Sequence, residues 1–445
     1  MSNILVLGAG FVAEPLVEYL NRRDDNRISV ASYVINEAQA LADKFPKIDA
    51  LQVDVSDQEA LECLLVDYDL VVSLVPAPFH PTVAKAAIAQ KVAMVTASYE
   101  SDEMRDLATE AEEAGVIILN EIGLDPGIDH LSAMEVIDQV QQKGEKITAF
   151  VSWCGGVPAP ESNNNPIGYK FSWAPKGVLM ALLNKAQYLH QNQAVTVSSD
   201  QLMDWAKPLL IEGLQLEGYP NRESISYKEV YGIDSAESLL RGTLRYQGFS
   251  EIIKGAYQLN LLSTKVSDVS ATGSWKDYIV SLNQADNLEQ LLKVLTPKAK
   301  DALTWLGCFS ELQVAAKNSP IDVFCALLID KLQYLEGESD MIALQHKFVV
   351  EDSAGGEYFL SSTLIAVGDP DGYSAMSKTV GYPAAIASQL ILDNKVERQG
   401  VLRPVFADIY QPTLKALAAE GIECVEKRIS SSEMSKQEFL AELYS

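Results

Sequence analysis

Six short apolar runs, at 4–7, 28–32, 51–55, 70–75, 92–96 and 116–119, recur through the first 120 residues. Amphipathic segments lie between them at about 11–23, 36–45, 57–66, 81–90 and 101–114. Continuous Val/Ile/Leu runs suit strands buried on both faces, and strands joined only through helices lie parallel, because a parallel neighbour needs a crossover. The alternation predicts an α/β fold with a doubly wound parallel sheet of the Rossmann kind.

Between the first run and the first helical segment stands Gly8-Ala9-Gly10-Phe11-Val12-Ala13. In this G-x-G-x-x-A pattern Gly8 permits the tight turn, Gly10 lets backbone approach a pyrophosphate, and Ala13 keeps the helix close to the sheet. The helix N-terminus then offers free N–H groups to the anion, and Pro15 in the first turn costs little there. Alone the pattern is weak; on the first strand of a six-strand alternation it points to a dinucleotide. The second run ends in Ser32-Tyr33, with neither the acid of NAD enzymes nor the arginine of many NADP enzymes. The cofactor is therefore NADP or NAD, with NADP favoured slightly by the missing acid. Asp54 and Val55 at the end of the third run are placed on the adenine side, and Val75 with Pro76 on the nicotinamide approach.

After Asp129 the pattern changes. DHLSAMEVIDQVQQKG (129–144) reads as a helix with an acidic N-cap and a Gly stop, and KITAFVSWCGG (146–156) as a strand ending in a glycine turn. From 180 to 365, helical segments such as GVLMALLNKAQYL, QADNLEQLLKVL and IDVFCALLIDKLQYL mix with the strands HKFVVED and EYFLSSTLIAVG. The expected domains are a dinucleotide-binding domain over 1–125, completed by about 368–405, a second α+β domain with a helical lobe over 126–367, and a tail over 406–445. At 445 residues there is chain enough for more than one core. GYSAMSKTVGYPAAIASQLILDNKV (372–396) reads as a small-residue helix for close packing, and Ser-rich 430–433 as a helix cap.

Composition narrows the function. A net charge of −26 excludes a nucleic-acid surface, which needs clustered Lys and Arg. No apolar run approaches the roughly 18–20 residues of a membrane span. The N-terminus enters a strand without a basic segment and apolar stretch before it, so export is not expected. Cys63, Cys154, Cys308, Cys325 and Cys424 are few, odd in number and without C-x-x-C spacing, which suits reduced thiols in a cytoplasmic protein. No His/Cys/acid cluster has metal-ligand spacing, so no metal is expected.

Four later stretches concentrate reactive residues. TASYES (96–101) ends the fifth run and NEIGLDPGIDH (120–130) the sixth. The carboxyl ends of parallel strands border the ligand crevice, so Ser98, Tyr99 and Asp125 should face one cleft, with Gly123 and Leu124 beside the cofactor. SWCGGVPAPESNNNPIGYKFSWAPKGVL (152–179) carries Cys154 among glycine pairs and prolines. YPNRES and LLRGTLRYQGF carry Arg222, Arg241, Thr243 and Arg245. His80 and His130 follow strand ends and read as structural histidines.

On GAGFVAEP, GLDPGIDH, CGGVPAPESNNNPIGYKFSW, YPNRES, RGTLRYQGF and GYPAAIASQLIL the chain resembles the saccharopine reductase family, the glutamate-forming saccharopine dehydrogenases. The resemblance implies a Rossmann domain with an interrupting substrate and dimerisation domain, a homodimer, and a small amino-acid substrate. It also implies an NAD(P)-dependent reaction on a CH–NH bond, joining or separating glutamate and 2-aminoadipate 6-semialdehyde through an imine. Carried over by position, Gly10, Phe11 and Val12 would touch the pyrophosphate, and Ser172 and Trp173 would lie near the cofactor. Ser98, Tyr99, Asp125, Cys154, Arg222 and Thr243 would line the pocket. Ser32-Tyr33 replaces the Cys-Arg pair of family members.

Saccharopine carries three carboxylates, so bidentate guanidinium contacts are natural anchors, Arg222 first and Arg245 second. Asp125, Cys154 and Tyr99 are the candidate proton donors and acceptors. Two alternatives stand beside this reading: an imine reductase acting on another amine, of the carboxynorspermidine type, and a non-catalytic nucleotide-binding sensor.

Overall fold

The structure is a computed structural model that describes residues 1–266 and 272–444. Its strands, in chain order, begin with β1 Ser2–Leu7, β2 Asn26–Ser32, β3 Ile48–Gln52, β4 Leu70–Ser73, β5 Ala93–Val95 and β6 Ile117–Leu119. There follow β7 Lys146–Pro158, β8 Ala186–His190, β9 Gln193–Val197, β10 Lys207–Ile211, β11 Leu214–Pro220 and β12 Ser238–Tyr246. The last are β13 Asp340–Glu351, β14 Glu357–Val367, β15 Gly400–Leu402 and β16 Val425–Ser430. The chain divides into two compact units, Met1–Lys143 with Tyr373–Val425, and Gly144–Gly372 with Glu426–Ser445.

The first unit holds a seven-stranded sheet in the order β15-β6-β5-β4-β1-β2-β3. Every pairing is parallel, with Ile4 opposite both Ile28 and Leu70. Ile4 to Leu7 have no exposed surface, as expected of a central strand covered on both faces. The order reverses direction at β1, between β2 and β4, which is where this architecture opens its ligand crevice. β15 extends the sheet with a strand that the alternation of the first 120 residues could not reveal.

Two packings set the limits of this unit. Helix Ala375–Leu392 lies against helix Ala13–Asn21. A Cβ at Gly381 would stand 2.9 Å from the Val12 carbonyl oxygen and 3.0 Å from the Leu16 nitrogen, so glycine permits the approach. Helix Ile128–Gln142 packs on helix Ala407–Ala419, where the Tyr410 hydroxyl donates to Asp138. Both elements thus lie in the first unit, whereas the expected boundaries placed 128–142 in the second domain and 407–419 in a tail. Burial of Ile137 and Val140 on one helix and Ile409 and Leu417 on the other is the reason.

The second unit is built on a nine-stranded sheet whose main path runs β10-β11-β12-β7-β13-β14-β16, with β8 pairing β12 and β9. Central β7 runs parallel to β12 and antiparallel to β13. One face carries Val151, Trp153, Leu240 and Leu244 into a core shared with helices Phe249–Gln258, Trp275–Leu282, Pro297–Leu306 and Pro320–Lys331. The Trp153 ring occupies space vacated by Gly242 and Gly218, where added Cβ atoms would stand 2.0 and 2.7 Å from it.

Four local readings differ from the sequence expectation. β7 does not stop at a glycine turn but runs through Gly155 and Gly156, because a Cβ at Gly155 would meet the Leu244 carbonyl oxygen at 2.4 Å. The helix from 175 ends at Ala181, and 186–190 forms a hairpin with β9 through Gln191 and Asn192, both at positive φ. The helix from 128 takes Gly127, not Asp129, as its N-cap; the Asp129 carboxylate accepts from the Gly127 N–H at 2.7 Å. At the tail, the helix cap is Ser435, in a capping box with Glu438, rather than Ser430–Glu433.

Candidate active site

The dinucleotide turn follows β1. Gly8 sits at φ 107°, donates its N–H to the Ala31 carbonyl at 2.8 Å, and lies close enough to Leu74 that a Cβ would be 3.1 Å from its oxygen. Gly10 is different. A Cβ there would have nothing within 4 Å, so this edge of the turn is open. Phe11 is 63% exposed beside it, and Val12 caps the following helix without a side-chain bond, while the Ala13 N–H donates to the Gly10 carbonyl at 3.1 Å. These features fit the pyrophosphate of a nicotinamide dinucleotide.

The remaining cofactor candidates are placed less uniformly. The Ser32 hydroxyl donates to Glu37 at 2.8 Å, and Tyr33 is exposed. The Asp54 carboxylate accepts from the Ser56 amide and hydroxyl at 2.9 and 2.6 Å, closing the turn after β3. Those two bonds hold its carboxyl below the usual range. Val55 and Val75 are half-buried against the core of this unit.

The loops leaving β5 and β6 come together. Tyr99 donates its hydroxyl to Asp125 Oδ1 at 2.7 Å. Gly123 and Gly127 make the bend around Asp125 possible: a Cβ at Gly127 would fall 1.9 Å from the Gly123 carbonyl oxygen, and one at Gly123 would fall 2.9 Å from Ala97 Cβ. Ser98 Oγ lies 2.8 Å from His80 Nε2, while His80 Nδ1 lies 2.9 Å from Ser73 Oγ. His80 is 2% exposed, and burial pushes its pKa down to about 4, so the imidazole is neutral at neutral pH.

Beneath the same loop lies a charged group that the sequence pattern did not signal. Glu121, 1% exposed and at φ 59°, donates its N–H to the Ser98 carbonyl at 3.0 Å. Its Oε1 accepts from the Glu100 amide at 3.0 Å and lies 3.1 Å from Arg403 Nε, and its Oε2 meets His130 Nε2 at 2.9 Å. Burial pushes this carboxyl up, but the His130 hydrogen bond, with the charges of His130 and Arg403, outweighs it and holds the pKa down to about 2.

In the second unit, Cys154 on β7 is buried and stands opposite Thr243 on β12 and Leu344 on β13, so neighbouring strands present the thiol and the hydroxyl side by side. Ser172 is buried, and the Trp173 ring lies over Gly177, where a Cβ would be 2.6 Å away. Arg222 is exposed at φ 51°, its carbonyl accepting from Gln187 N–H at 2.8 Å. Arg245, expected as the second carboxylate anchor, is the more enclosed of the two arginines. It is buried, its guanidinium 5.0 Å from the Tyr169 ring centre and 5.4 Å from that of Phe249, and it donates to the Leu244 carbonyl at 2.7 Å. The two rings hold the guanidinium in place. Arg241 is treated similarly, 4.2 Å from the Tyr227 ring.

Two family descriptions cover almost the whole chain: the saccharopine dehydrogenase NADP binding domain matches residues 4–119, and the saccharopine dehydrogenase C-terminal domain matches residues 123–422. The chain belongs to the saccharopine dehydrogenase family. It is 42% identical over 444 residues to saccharopine dehydrogenase [NADP(+), L-glutamate-forming] of Saccharomyces cerevisiae, covering 96% of this chain and 99% of that one. Against the Schizosaccharomyces pombe protein of the same name, identity is 41% with the same coverage. Mitochondrial alpha-aminoadipic semialdehyde synthase of Mus musculus is 40% identical over 94% of this chain but only 47% of its own length. Among solved structures, apo saccharopine dehydrogenase (L-Glu forming) from S. cerevisiae superimposes with a TM-score of 0.89 at 40% identity, covering 97% of this chain and all of that one. The NADP-binding portion of the saccharopine dehydrogenase match holds Gly8 to Val12, Ser98 and Tyr99; the C-terminal portion holds Asp125, Cys154, Arg222 and Thr243.

Proposed function

We propose that this protein is an L-glutamate-forming saccharopine dehydrogenase. It reversibly oxidises saccharopine with NADP to an imine that is hydrolysed to glutamate and 2-aminoadipate 6-semialdehyde. The observation that carries the reading is the Tyr99–Asp125 pair at the carboxyl end of the parallel sheet. It stands in a dinucleotide-binding unit that resembles such enzymes over nearly its full length. Neither a carboxynorspermidine-type imine reductase nor a nucleotide-binding sensor is favoured by that similarity.

Gly8, Gly10, Phe11 and Val12 would hold NADP, which would supply the acceptor for the hydride leaving the carbon next to the secondary amine. The protein manages protons and carboxylates. Loss of hydride leaves an iminium; water adds to its carbon with release of a proton, and the carbinolamine collapses as the C–N bond breaks with its electron pair going to nitrogen. One proton must leave the attacking water and one must reach the departing amine. Tyr99 and Asp125, already sharing a proton across 2.7 Å, are assigned that exchange. Cys154 and Thr243 supply further polar contacts, and Arg222 pairs with a substrate carboxylate. Ser172 and Trp173 are assigned to the cofactor's side. The reading extends to a cytoplasmic homodimer, a location that five free cysteines support. No helix among the described residues is long and apolar enough to cross a membrane.

The test is direct: incubation with saccharopine and NADP should raise absorbance at 340 nm, with glutamate accumulating in step. Absence of reduction with saccharopine, or reduction only with a polyamine conjugate, refutes the assignment.

A further inference from the structure

Ser98 is held at three points. Its N–H donates to Thr96 Oγ1 at 3.3 Å, its carbonyl accepts from the Glu121 N–H at 3.0 Å, and its hydroxyl oxygen lies 2.8 Å from His80 Nε2. His80 is itself bracketed, with Ser73 Oγ at 2.9 Å from Nδ1 and Thr96 Oγ1 at 3.3 Å from Nε2. A neutral imidazole has one donor and one acceptor nitrogen. Its two edges therefore impose a polarity on the hydroxyls they touch. If Nδ1 accepts from Ser73, Nε2–H donates to Ser98 Oγ, and the Ser98 proton is released to point away from the ring. The opposite tautomer would consume that proton and turn only lone pairs outward. A tricarboxylic amino acid needs the first arrangement, because a carboxylate is bound by donors.

We propose that His80 is a positioning residue that presents the Ser98 hydroxyl as a hydrogen-bond donor to a carboxylate of the substrate. The inference rests on the saccharopine reading above. It adds a role for a residue buried behind Ser98. His80 opens helix His80–Gln90, reached from β4 through the short turn Ala77–Phe79, and Ser98 lies after the adjacent β5, so the parallel pairing of these strands helps set their separation. Burial supports the arrangement: with pKa near 4, the ring does not become a cation that would donate from both edges at neutral pH.

The test is a double-mutant cycle on the full-length protein, using steady-state saccharopine oxidation and NADPH fluorescence titration. Ser98→Ala and His80→Ala should each raise the KM for saccharopine about tenfold. kcat and NADPH affinity should stay within twofold, the pattern of a lost binding contact. The double variant should be no worse than either single one, because both remove the same donor. A double variant whose KM rises by the product of the two effects overturns the proposal, as does a fall in NADPH affinity that tracks the loss. His80→Gln places an amide N–H near the Nε2 position, whereas the shorter amide of His80→Asn falls short. Should His80→Ala fail to fold, this pair decides: His80→Gln must keep a near-normal KM and His80→Asn must lose it, and equal KM values overturn the proposal. A wild-type protein inactive with saccharopine removes the functional reading, and the inference with it. An active wild type with an additive cycle removes the inference alone.

Discussion

Replacing Glu121 by glutamine removes a buried negative charge while preserving the shape of the side chain. The native carboxyl is held at about 2 against an ordinary 4.5. At about 1.4 kcal/mol per pH unit, ionised Glu121 contributes on the order of 3 kcal/mol at neutral pH. The sign follows from the depressed value: the contribution is complete above pH 4.5 and is lost as pH falls toward 2. Glutamine imitates the protonated carboxyl, so the gap between wild type and Glu121→Gln should be about 3 kcal/mol at pH 7. It should narrow to roughly half that by pH 3. Because the carboxylate joins the Glu100 amide, Arg403 and His130, all within the first unit, the loss should be confined to that unit. All five tryptophans lie in the second unit, which supplies an internal control. Urea unfolding followed by far-UV circular dichroism should show an earlier transition, while tryptophan fluorescence moves much less. A variant within 1 kcal/mol of wild type at pH 7, or a gap that does not change between pH 7 and pH 3, would refute the account of the network.

Tyr99→Phe deletes the hydroxyl bonded to Asp125 and keeps the ring. Turnover of saccharopine should fall roughly tenfold, the worth of one charge-assisted hydrogen bond, with NADPH affinity unchanged; unaltered turnover removes Tyr99 from proton transfer. Gly381→Ala drives a methyl to 2.9 Å from the Val12 carbonyl, so NADPH affinity measured by fluorescence should drop severalfold. Gly242→Ala places a methyl 2.0 Å from the Trp153 ring. Overpacking of this kind costs about 1–3 kcal/mol, and the tryptophan-detected transition should shift to lower urea.

The parallel sheet, the dinucleotide turn and the placing of Ser98, Tyr99 and Asp125 at strand ends were legible in the sequence. Each is written locally: apolar periodicity reports which residues are covered on both faces, and glycine spacing reports where backbone must turn or approach a ligand. Other features were not local. β15 joins β6 across 280 residues of intervening chain, Arg403 pairs with Glu121, and Gly155 reads as turn punctuation until Leu244 is seen against it. Arginine in a Gly/Thr motif carries no mark of burial, so the enclosure of Arg245 by the rings of Tyr169 and Phe249 could not be read from it. His80 looked structural because nothing in HP-T-V announces that the Ser98 hydroxyl, eighteen residues later, will lie 2.8 Å from its Nε2. Local pattern determines which elements form and which face they bury. The partners that each charge and each small residue meet across the core are decided only when strands distant in sequence come into register.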